Sequence, residues 1–420
     1  MSAFTRRIAL LLGACSLPWA GVSARAADAQ DTVSVGDRFN ALHLAPGFAV
    51  EGWDVRPSAS LRGGYDDNIT STSSNVASSA AMEMRGSIDA SQQMGPYALA
   101  GSALLKHTWY LDAGDNNATE GNLRGAVAID LAPQLVLRGS AALAVGVEGG
   151  SSNGIVVDGV FDYYDKRDQF RRVPLDAAVE YHIGRIGLRG SLHLEAVNYA
   201  AQTTRSGLRI AQDFRNGWEG EAALRGSYEV YPHLSAFVDV RDGARRYADA
   251  NGDSDTWRAV AGGSVELTRL LIGEAYAGYA GQSFPNGGER TGLSYGAQLH
   301  WFATPLLSLT LDASREFRAE VDTTAAGVTS AIAVTQDAVS LRGEWEPWRR
   351  LLVYAQAGYT RQERASVDRS DELVSLIAGA TYLLTGELNL QFEYEFEGGN
   401  SNFSGDFTRN RLTLGVAAAY

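Results

Sequence analysis

The chain has 420 residues, of which 45% are hydrophobic and 20% charged, with a formal net charge of −13 and a single cysteine. This acidity argues against nucleic acid as a partner. One cysteine excludes a small scaffold held by disulfides. Beyond the amino terminus, no stretch approaches the roughly 18 uncharged apolar residues that a membrane helix needs. If the protein lies in a membrane, it crosses as strands.

The amino terminus has the layout of a secretory signal peptide. Arg6 and Arg7 precede an apolar run, and Ala24-Arg25-Ala26 provides an Ala-x-Ala cleavage site. We predict a signal peptide over residues 1–26, whose removal takes three arginines, the only cysteine and no acid, and changes the charge to −16. A lipoprotein cleavage box, Leu12-Gly13-Ala14-Cys15, is the less favoured alternative because the apolar run before it is short.

Residues 27–50 show no clear alternation and are predicted to form a periplasmic N-terminal segment. From Trp53 onwards, apolar and polar residues alternate at period 2, which places them on opposite faces of strands. The pattern is clearest in 384–398, LTGELNLQFEYEFEG, where one face is apolar and the other acidic. Such two-faced strands fit a membrane barrel with a wet lumen, or a soluble sandwich.

The connections alternate between short turns and long polar loops. Short turns are predicted near Gly95-Pro96, Pro133, Gly184, Pro232, Arg269, Pro305, Pro347 and Gly386. Long loops are predicted over 112–119, 149–169, 202–213, 248–255, 283–290, 320–330, 364–371 and 398–406, and the first polar loop is 68–78. Nine long-loop hairpins give about 18 strands, with 16 as the alternative. We therefore predict an all-β, antiparallel, up-and-down transmembrane barrel over 51–420, with short periplasmic turns and longer extracellular loops.

Aromatic residues and the carboxy terminus support an outer-membrane location in a Gram-negative bacterium. Aromatics fall near predicted strand ends, as in the girdles at the two lipid–water interfaces. They are Tyr97, Tyr181, Trp301 and Trp345 near short turns, and Tyr65, Trp109, Trp218, Trp257 and Tyr359 near long loops. The last strand ends on Tyr420, the kind of ending that outer-membrane proteins present to their assembly machinery. The predicted partners are that machinery, outer-membrane lipids and lipopolysaccharide.

Two kinds of motif give the chain a family resemblance. The first is Arg56-Pro57-Ser58-Ala59-Ser60-Leu61 leading to Gly64-Tyr65-Asp66-Asp67-Asn68, and the second is strand-turn-strand units with Pro in the turn, such as LHWFATPLLSLTLDAS. With these motifs the sequence resembles the β-barrel porin 2 family of Gram-negative outer-membrane proteins. The resemblance implies a porin-like barrel, and for some members an association with a polysaccharide export apparatus.

Charged residues on the polar faces form the candidate site, because charges on the lipid face are costly. The predicted pore-lining residues are Arg85, Arg124, Arg138, Arg189, Glu195, Glu221, Arg225, Arg258, Asp312, Arg342, Glu344, Glu387, Glu393 and Glu395. They either pair across neighbouring strands and fill the interior, or form opposed walls that filter hydrated solutes. The glutamates from Glu387 to Glu397 favour an acidic, cation-tolerant lumen.

Metal and catalytic patterns are weaker. Asp249, Asn251, Asp253 and Asp255 resemble a calcium loop, but Ser254 and Val260 stand where that loop needs Gly and Glu, so an acidic exposed loop is favoured. Asp66-Asp67-Asn68 is interpreted as turn chemistry. A hairpin at Gly184 would place His193 opposite Asp176, and without a placed serine this pair is weak evidence for catalysis. We predict no cofactor, no metal site and no enzyme.

The leading functional hypothesis is a channel for passive or selective passage of hydrophilic solutes, with a link to exopolysaccharide export implied by the resemblance. The alternatives are a non-conducting structural or adhesive barrel and, less favoured, an outer-membrane hydrolase.

Overall fold

The computed structural model of the chain describes residues 34–43, 47–73, 76–148, 154–157, 160–163, 168–204, 206–266, 270–285, 288–323, 329–364, 369–402 and 405–420. The predicted signal peptide and its cleavage site lie outside the described residues. No helix in the described part of the chain is long and apolar enough to cross a membrane.

One α-helix, three short 3₁₀ helices (Gly114–Asn116, Asp213–Arg215 and Ala250–Gly252) and 23 strands are present in the described residues. Helix α1 is Val35–His43, and the first strands are β1 (Phe48–Val50), β2 (Trp53–Asp66), β3 (Ser79–Met94), β4 (Tyr97–Tyr110), β5 (Ala118–Ala132), β6 (Leu135–Glu148), β7 (Gly154–Val157), β8 (Val160–Tyr163), β9 (Asp168–Ile183), β10 (Ile186–Tyr199), β11 (Gln202–Thr203) and β12 (Arg209–Ile210). The remaining strands are β13 (Gly217–Tyr231), β14 (Leu234–Tyr247), β15 (Ser254–Glu266), β16 (Leu271–Ser283), β17 (Glu289–Thr304), β18 (Leu307–Thr323), β19 (Thr329–Trp348), β20 (Leu351–Arg364), β21 (Arg369–Leu383), β22 (Leu388–Ser401) and β23 (Phe407–Ala419).

Eighteen strands of the described chain form a closed antiparallel barrel. Each long strand pairs with the next long strand along the chain, and β2 pairs with β23 from Ser58↔Ala419 to Asp66↔Arg411. Closure is the condition for crossing a membrane as a sheet, because an open edge would leave backbone N–H and C=O groups unpaired in hydrocarbon. The predicted fold and the count of 18 are confirmed. Two short hairpins, β7–β8 and β11–β12, lie in the long connections.

The two faces of the barrel differ as the period-2 pattern predicts. Large apolar side chains such as Leu61, Met84, Leu105 and Leu414 are 51–62% exposed, although they lie in the middle of regular strands. The opposite face carries buried polar residues, including Asp66, Glu83 and Asp371. A sheet that exposes its apolar face and buries its polar face is typical of a membrane barrel.

The order of short and long connections follows the prediction closely, with two boundary corrections. Pro347 lies inside β19, and the turn is Arg349-Arg350. The register of β19 against β20 shifts between Trp345 and Trp348, so the proline occupies an irregular end of the ladder, where its missing N–H is tolerated. The turn predicted at Arg269 lies outside the described residues. So does most of the loop 149–169 apart from β7 and β8.

The acidic strand begins later than predicted. Residues 384–387 form the short turn before β22, in which the Thr385 hydroxyl accepts hydrogen bonds from the N–H groups of Glu387 (3.1 Å) and Leu388 (3.0 Å). Glu387 is therefore a turn residue at the short-turn end of the barrel, not a residue of the wall. The alternation of apolar and polar residues in 384–398 extends through this turn. Thr385 does not mark the boundary, because threonine is common both in strands and at turns.

The edge of β2 is completed by two different strands. β23 pairs with β2 from Ser58 onwards, and β1 pairs with the remaining part, Phe48↔Val55 to Val50↔Trp53. The rings of Phe48 and Tyr420 meet at the junction with centroids 5.9 Å apart. The N-terminal segment therefore contributes a short strand at the barrel seam, where the two ends of the sheet join.

The distinctive family motif fastens the other end of this seam. The fully buried carboxylate of Asp66 accepts hydrogen bonds from Arg409 on β23, the shortest at 2.6 Å. Asp67 accepts hydrogen bonds from the backbone N–H and the side-chain amide of Asn410 (2.6 and 2.7 Å). Asn68 donates to the carbonyl of Thr408 (2.9 Å) and receives the N–H of Thr72 (3.1 Å). The motif thus combines the turn chemistry predicted for it with a clamp between the first and last barrel strands.

We expect Asp66→Ala to destabilise the barrel by roughly 3 kcal/mol, because it removes the shortest ion pair of the partly buried Arg409. Urea titration of the refolded protein, followed by the loss of the fast-migrating folded band in unheated gels, measures this change. The exposed loop residue Asp115 offers the matched control, Asp115→Ala, which should unfold like the wild type. Equal midpoints for both variants would contradict the clamp.

Candidate functional site: the barrel interior

Contacts between non-adjacent strands identify the inner face. Arg225 on β13 donates to both carboxylate oxygens of Glu274 on β16, at 3.0 and 2.6 Å, although β14 and β15 lie between them. Arg245 on β14 donates to the carbonyl of Ala319 on β18 at 2.6 Å. Such chords are possible only across the inside of a closed barrel. The register of the paired strands then shows, for each remaining strand residue, whether its side chain lies on the inner or the outer face.

Thirteen of the fourteen predicted pore-lining residues occupy strand positions on this inner face, and Glu387 lies in a turn. They are Arg85 on β3, Arg124 on β5, Arg138 on β6, Arg189 and Glu195 on β10, Glu221 and Arg225 on β13, Arg258 on β15, Asp312 on β18, Arg342 and Glu344 on β19, and Glu393 and Glu395 on β22. Their location follows from the register of the paired strands.

Arginines of neighbouring strands neutralise the acidic ladder of β22. Arg62 lies 3.8 Å from Glu393, Arg411 lies 3.7 Å from Glu395, and Arg409 lies 3.3 Å from Glu397. Tyr354 donates a further hydrogen bond to Glu393 at 2.6 Å. The expected acidic, cation-tolerant wall is therefore a paired wall at this side of the barrel. The sequence pattern of one strand could not show this, because the balancing charges come from β2 and β23.

The opposite side is also charge-paired. Arg241 contacts Glu221 (3.1 Å) and Asp239 (2.9 Å), and Arg258 contacts the same Asp239 at 3.3 Å. Several guanidinium groups also lie over aromatic rings of the interior, including Arg225 over Phe237 at 3.6 Å and Arg342 near Tyr354 at 5.2 Å. Pairing across strands, the first of the two predicted arrangements, describes these contacts.

A recess in the wall formed by β5, β6, β9 and β10 is lined by three arginines. Its volume is about 290 Å³, and Arg124, Arg138, Arg189, Ser140 and His193 are among its lining residues. The side chain of Arg189 is 57% exposed and lies 3.7 Å from Glu180, which also pairs with Arg138 at 3.2 Å. Arg124 donates to the hydroxyl of Ser140 at 3.5 Å. Arg189 and Arg138 thus share the carboxylate of Glu180, and Arg124 makes its hydrogen bond to a hydroxyl group.

The Asp176–His193 pair forms as the hairpin at Gly184 predicts. The residues are directly opposed in the register of β9 and β10, and Nδ1 of His193 lies 2.8 Å from Asp176. The hydroxyl of Ser140 donates to the other oxygen of Asp176 at 2.9 Å. In a catalytic triad the serine bonds the histidine, and the acid stands behind it. Here both the serine and the histidine bond the acid, which describes a polar network and not a nucleophile with its base.

The β18–β19 hairpin turns inward at the long-loop end. Pairing between β17 and β18 stops at Tyr295↔Arg315, although both strands continue. Beyond that point, Phe317, Arg318 and Ala319 all line one cavity of about 210 Å³, which they share with Arg245. Three consecutive residues can face one cavity only where the strand stands away from the wall.

The partner strand of this hairpin is covered on both faces. Five consecutive residues of β19 are buried, where a strand with one exposed face would alternate; they are Ile332, Ala333, Val334, Thr335 and Gln336. The 3₁₀ turn Ala250–Gly252 also contacts β18 and β19. The hairpin and this turn therefore narrow the interior at the long-loop end.

The acidic loop after β14 is held by its own hydrogen bonds. Asp249 accepts from the N–H of Asn251 at 3.1 Å, Asp253 accepts from the N–H of Tyr247 at 2.8 Å, and Asp255 pairs with Arg246 at 2.5 Å. Within the described residues, no group of three or more His, Cys, Asp or Glu side chains is arranged to hold a metal ion. The loop is accordingly a hydrogen-bonded turn.

Helix α1 was not anticipated in the interior. It lies inside the barrel at the short-turn end, where Val35 and Phe39 are 1% and 0% exposed against Leu352 of β20 and Leu383 of β21. The sequence carries a signal for the helix itself, since Ser34 and Asp37 form a reciprocal cap. It carries none for the docking, which joins residues about 300 positions apart.

A closed barrel with an apolar outer face, a charged inner face and alternating short and long connections defines an outer-membrane β-barrel protein. The chain belongs to the family described as Putative beta-barrel porin 2, which matches residues 44–420. This membership makes it a porin-like barrel of a Gram-negative outer membrane.

Solved structures of outer-membrane proteins show weak similarity to this chain. OpdO of Pseudomonas aeruginosa is 15% identical with a TM-score of 0.45, covering 87% of this chain and 97% of its own. The outer membrane protein OpdK of the same organism is 11% identical with a TM-score of 0.45, covering 87% and 99%. The ferric-catecholate import receptor Fiu of E. coli K12 is 10% identical with a TM-score of 0.45, covering 90% and 82%. No curated protein matches the sequence significantly.

The chord between Arg225 and Glu274 makes a quantitative test of the paired interior. In a double-mutant cycle with Arg225→Met and Glu274→Gln, we expect a coupling free energy of about 1–3 kcal/mol, because both hydrogen bonds are charge-assisted and partly shielded from water. Urea unfolding of the refolded barrel measures each corner of the cycle.

The matched control is the Arg246–Asp255 pair, whose aspartate is 59% exposed. A pair in contact with bulk water should couple by roughly 0.2–1 kcal/mol. Equal coupling in the two cycles would show that the interior does not shield its ion pairs.

Proposed function

We propose that the protein is an outer-membrane channel for hydrophilic solutes, and that the charged inner face lines their route. The observation that carries the proposal is the inner wall itself. Charges such as Arg124, Arg189, Glu195 and Asp312 stand on inward positions of strands whose outer face is apolar. Paired charges keep a polar surface in the bore while limiting net binding of either sign, which suits passage better than capture.

The recess supplies arginine contacts along this route. Arg124 and Arg189 line it together with Ser140, whose hydroxyl accepts a hydrogen bond from Arg124. Guanidinium groups offer several donors in a planar fork, so they suit the oxygen atoms of carboxylates and sugars. We infer that solutes carrying such oxygens contact this wall as they pass.

Recording from refolded protein in planar bilayers is the direct test of conduction. We expect stepwise conductance in the wild type. We further expect Arg124→Glu together with Arg189→Glu to shift the reversal potential in a salt gradient towards cation preference, because two positive charges at the bore become negative. Arg350→Glu, in an exposed short turn, is the control and should leave the reversal potential close to the wild-type value.

A folded wild-type barrel without stepwise conductance would overturn the channel proposal. An unchanged reversal potential in the double variant would instead remove the recess from the route while leaving the channel in place.

A non-conducting structural or adhesive barrel is the second candidate. The inward β18–β19 hairpin, the turn Ala250–Gly252 and helix α1 all occupy interior space. This occupation favours a filled interior, in which the long loops carry the function. The same bilayer recording separates the two candidates.

A role in exopolysaccharide export is the finer form of the channel proposal, and the family resemblance supports it. Glycosyltransferase or export-apparatus genes beside this gene would be expected under that role, and their absence from the locus would count against it.

A further inference from the structure

Helix α1 fits the inner wall through three separate kinds of contact. The N–H of Val35 donates to the hydroxyl of Ser308 on β18 at 3.1 Å. The N–H of Gly36 donates to the carboxylate of Glu344 on β19 at 2.9 Å. These two N–H groups belong to the first helical turn, where no carbonyl of the helix can receive them. The wall therefore supplies the partners that the helix end requires.

Charge on the wall complements the same end of the helix. Glu344 and Glu346 are only 7% and 6% exposed, and Arg38 lies 3.6 Å from Glu346. A helix amino terminus carries a partial positive charge that stabilises a nearby carboxylate. The partial positive charge at the amino terminus of α1 therefore lies beside Glu344, and the guanidinium group of Arg38 lies beside Glu346.

An apolar patch completes the fit. Leu352 and Leu383 stand on inner-face positions near the short turns, and they are 6% and 4% exposed. Val35 and Phe39, four residues apart on one face of α1, cover them. Inward leucines would be unfavourable in a water-filled mouth, so the patch is built for an apolar occupant.

Gly36 permits the close approach between helix and wall. A methyl group in place of its hydrogen would lie 3.0 Å from both carboxylate oxygens of Glu344. A bulky side chain at this position would require the helix or the carboxylate of Glu344 to move. Together, the donors, the charges, the leucines and this glycine describe a docking site at the short-turn mouth whose occupant is α1.

We propose that α1 is a resident plug, which narrows the periplasmic mouth while docked and widens the route when it leaves the wall. An α-helix with its side chains is roughly 10 Å across, so a docked helix removes a substantial part of an 18-strand lumen. The widening rests on the proposed channel function, whereas the docking does not.

Docking is tested by cysteine labelling in the full-length barrel with Cys15→Ser as background. A membrane-impermeant maleimide should modify Phe39→Cys at least roughly tenfold more slowly than Leu42→Cys, because the site opens only when the helix undocks. Leu42 is the matched control, since it lies on the same helix and is 58% exposed. Gly36→Leu added to Phe39→Cys should bring the two labelling rates together. Equal rates without Gly36→Leu would overturn the plug, whether or not the barrel conducts.

The effect on conduction is tested with Phe39→Asp and its control Leu42→Asp in planar bilayers, after unheated gels show both barrels folded. We expect Phe39→Asp to raise the single-channel conductance several-fold and Leu42→Asp to leave it unchanged. If the helix is undocked in Phe39→Asp but the conductance equals that of the wild type, the proposal that α1 narrows the mouth is wrong, and the channel proposal stands. Absence of conductance in every protein, together with slow labelling of Phe39→Cys, would overturn the channel and leave the docked helix.

Discussion

The structure depends on one constraint, which is that a sheet crossing hydrocarbon must have no free edge. Water cannot satisfy backbone groups there, so the first barrel strand has to find the last one. This chain gives that junction its most specific contacts. Asp66 is fully buried beneath Arg409, Asp67 pairs with Asn410, and β1 continues the edge of β2 where β23 ends. The motif that best carries the family resemblance is therefore also the motif that joins the two ends of the sheet.

The second constraint concerns the charges enclosed by that closure. Charges removed from the lipid face collect inside, where a single unpaired charge would be costly to bury. In this barrel the charges are neutralised by ion pairs between neighbouring strands and by ion pairs between non-adjacent strands, such as Arg225–Glu274. Arg189 stands out against this background, because its side chain is 57% exposed and it shares Glu180 with Arg138.

Much of the fold could be predicted from sequence, because alternation and turn spacing are local. These signals gave the strand count, the order of short and long connections, and the opposition of His193 and Asp176. Features formed between distant segments could not be found in this way. The arginines that neutralise Glu393 and Glu395 lie on other strands, and the inward turn of β18–β19 is visible only where Tyr295 and Arg315 end their ladder. Glu387 was misplaced because a period-2 pattern does not mark where a strand ends.

The short connection between α1 and the sheet has a thermodynamic consequence. Only four residues separate His43 from Phe48, and β1 is fixed to the barrel edge by its pairing with β2. A segment joined to the barrel by so short a linker meets its own binding surface at an effective concentration in the millimolar range or above. A free peptide or solute with the same intrinsic affinity would have to be present at comparable concentration to displace it. Contacts too weak to hold a separate molecule can thus keep this helix in place.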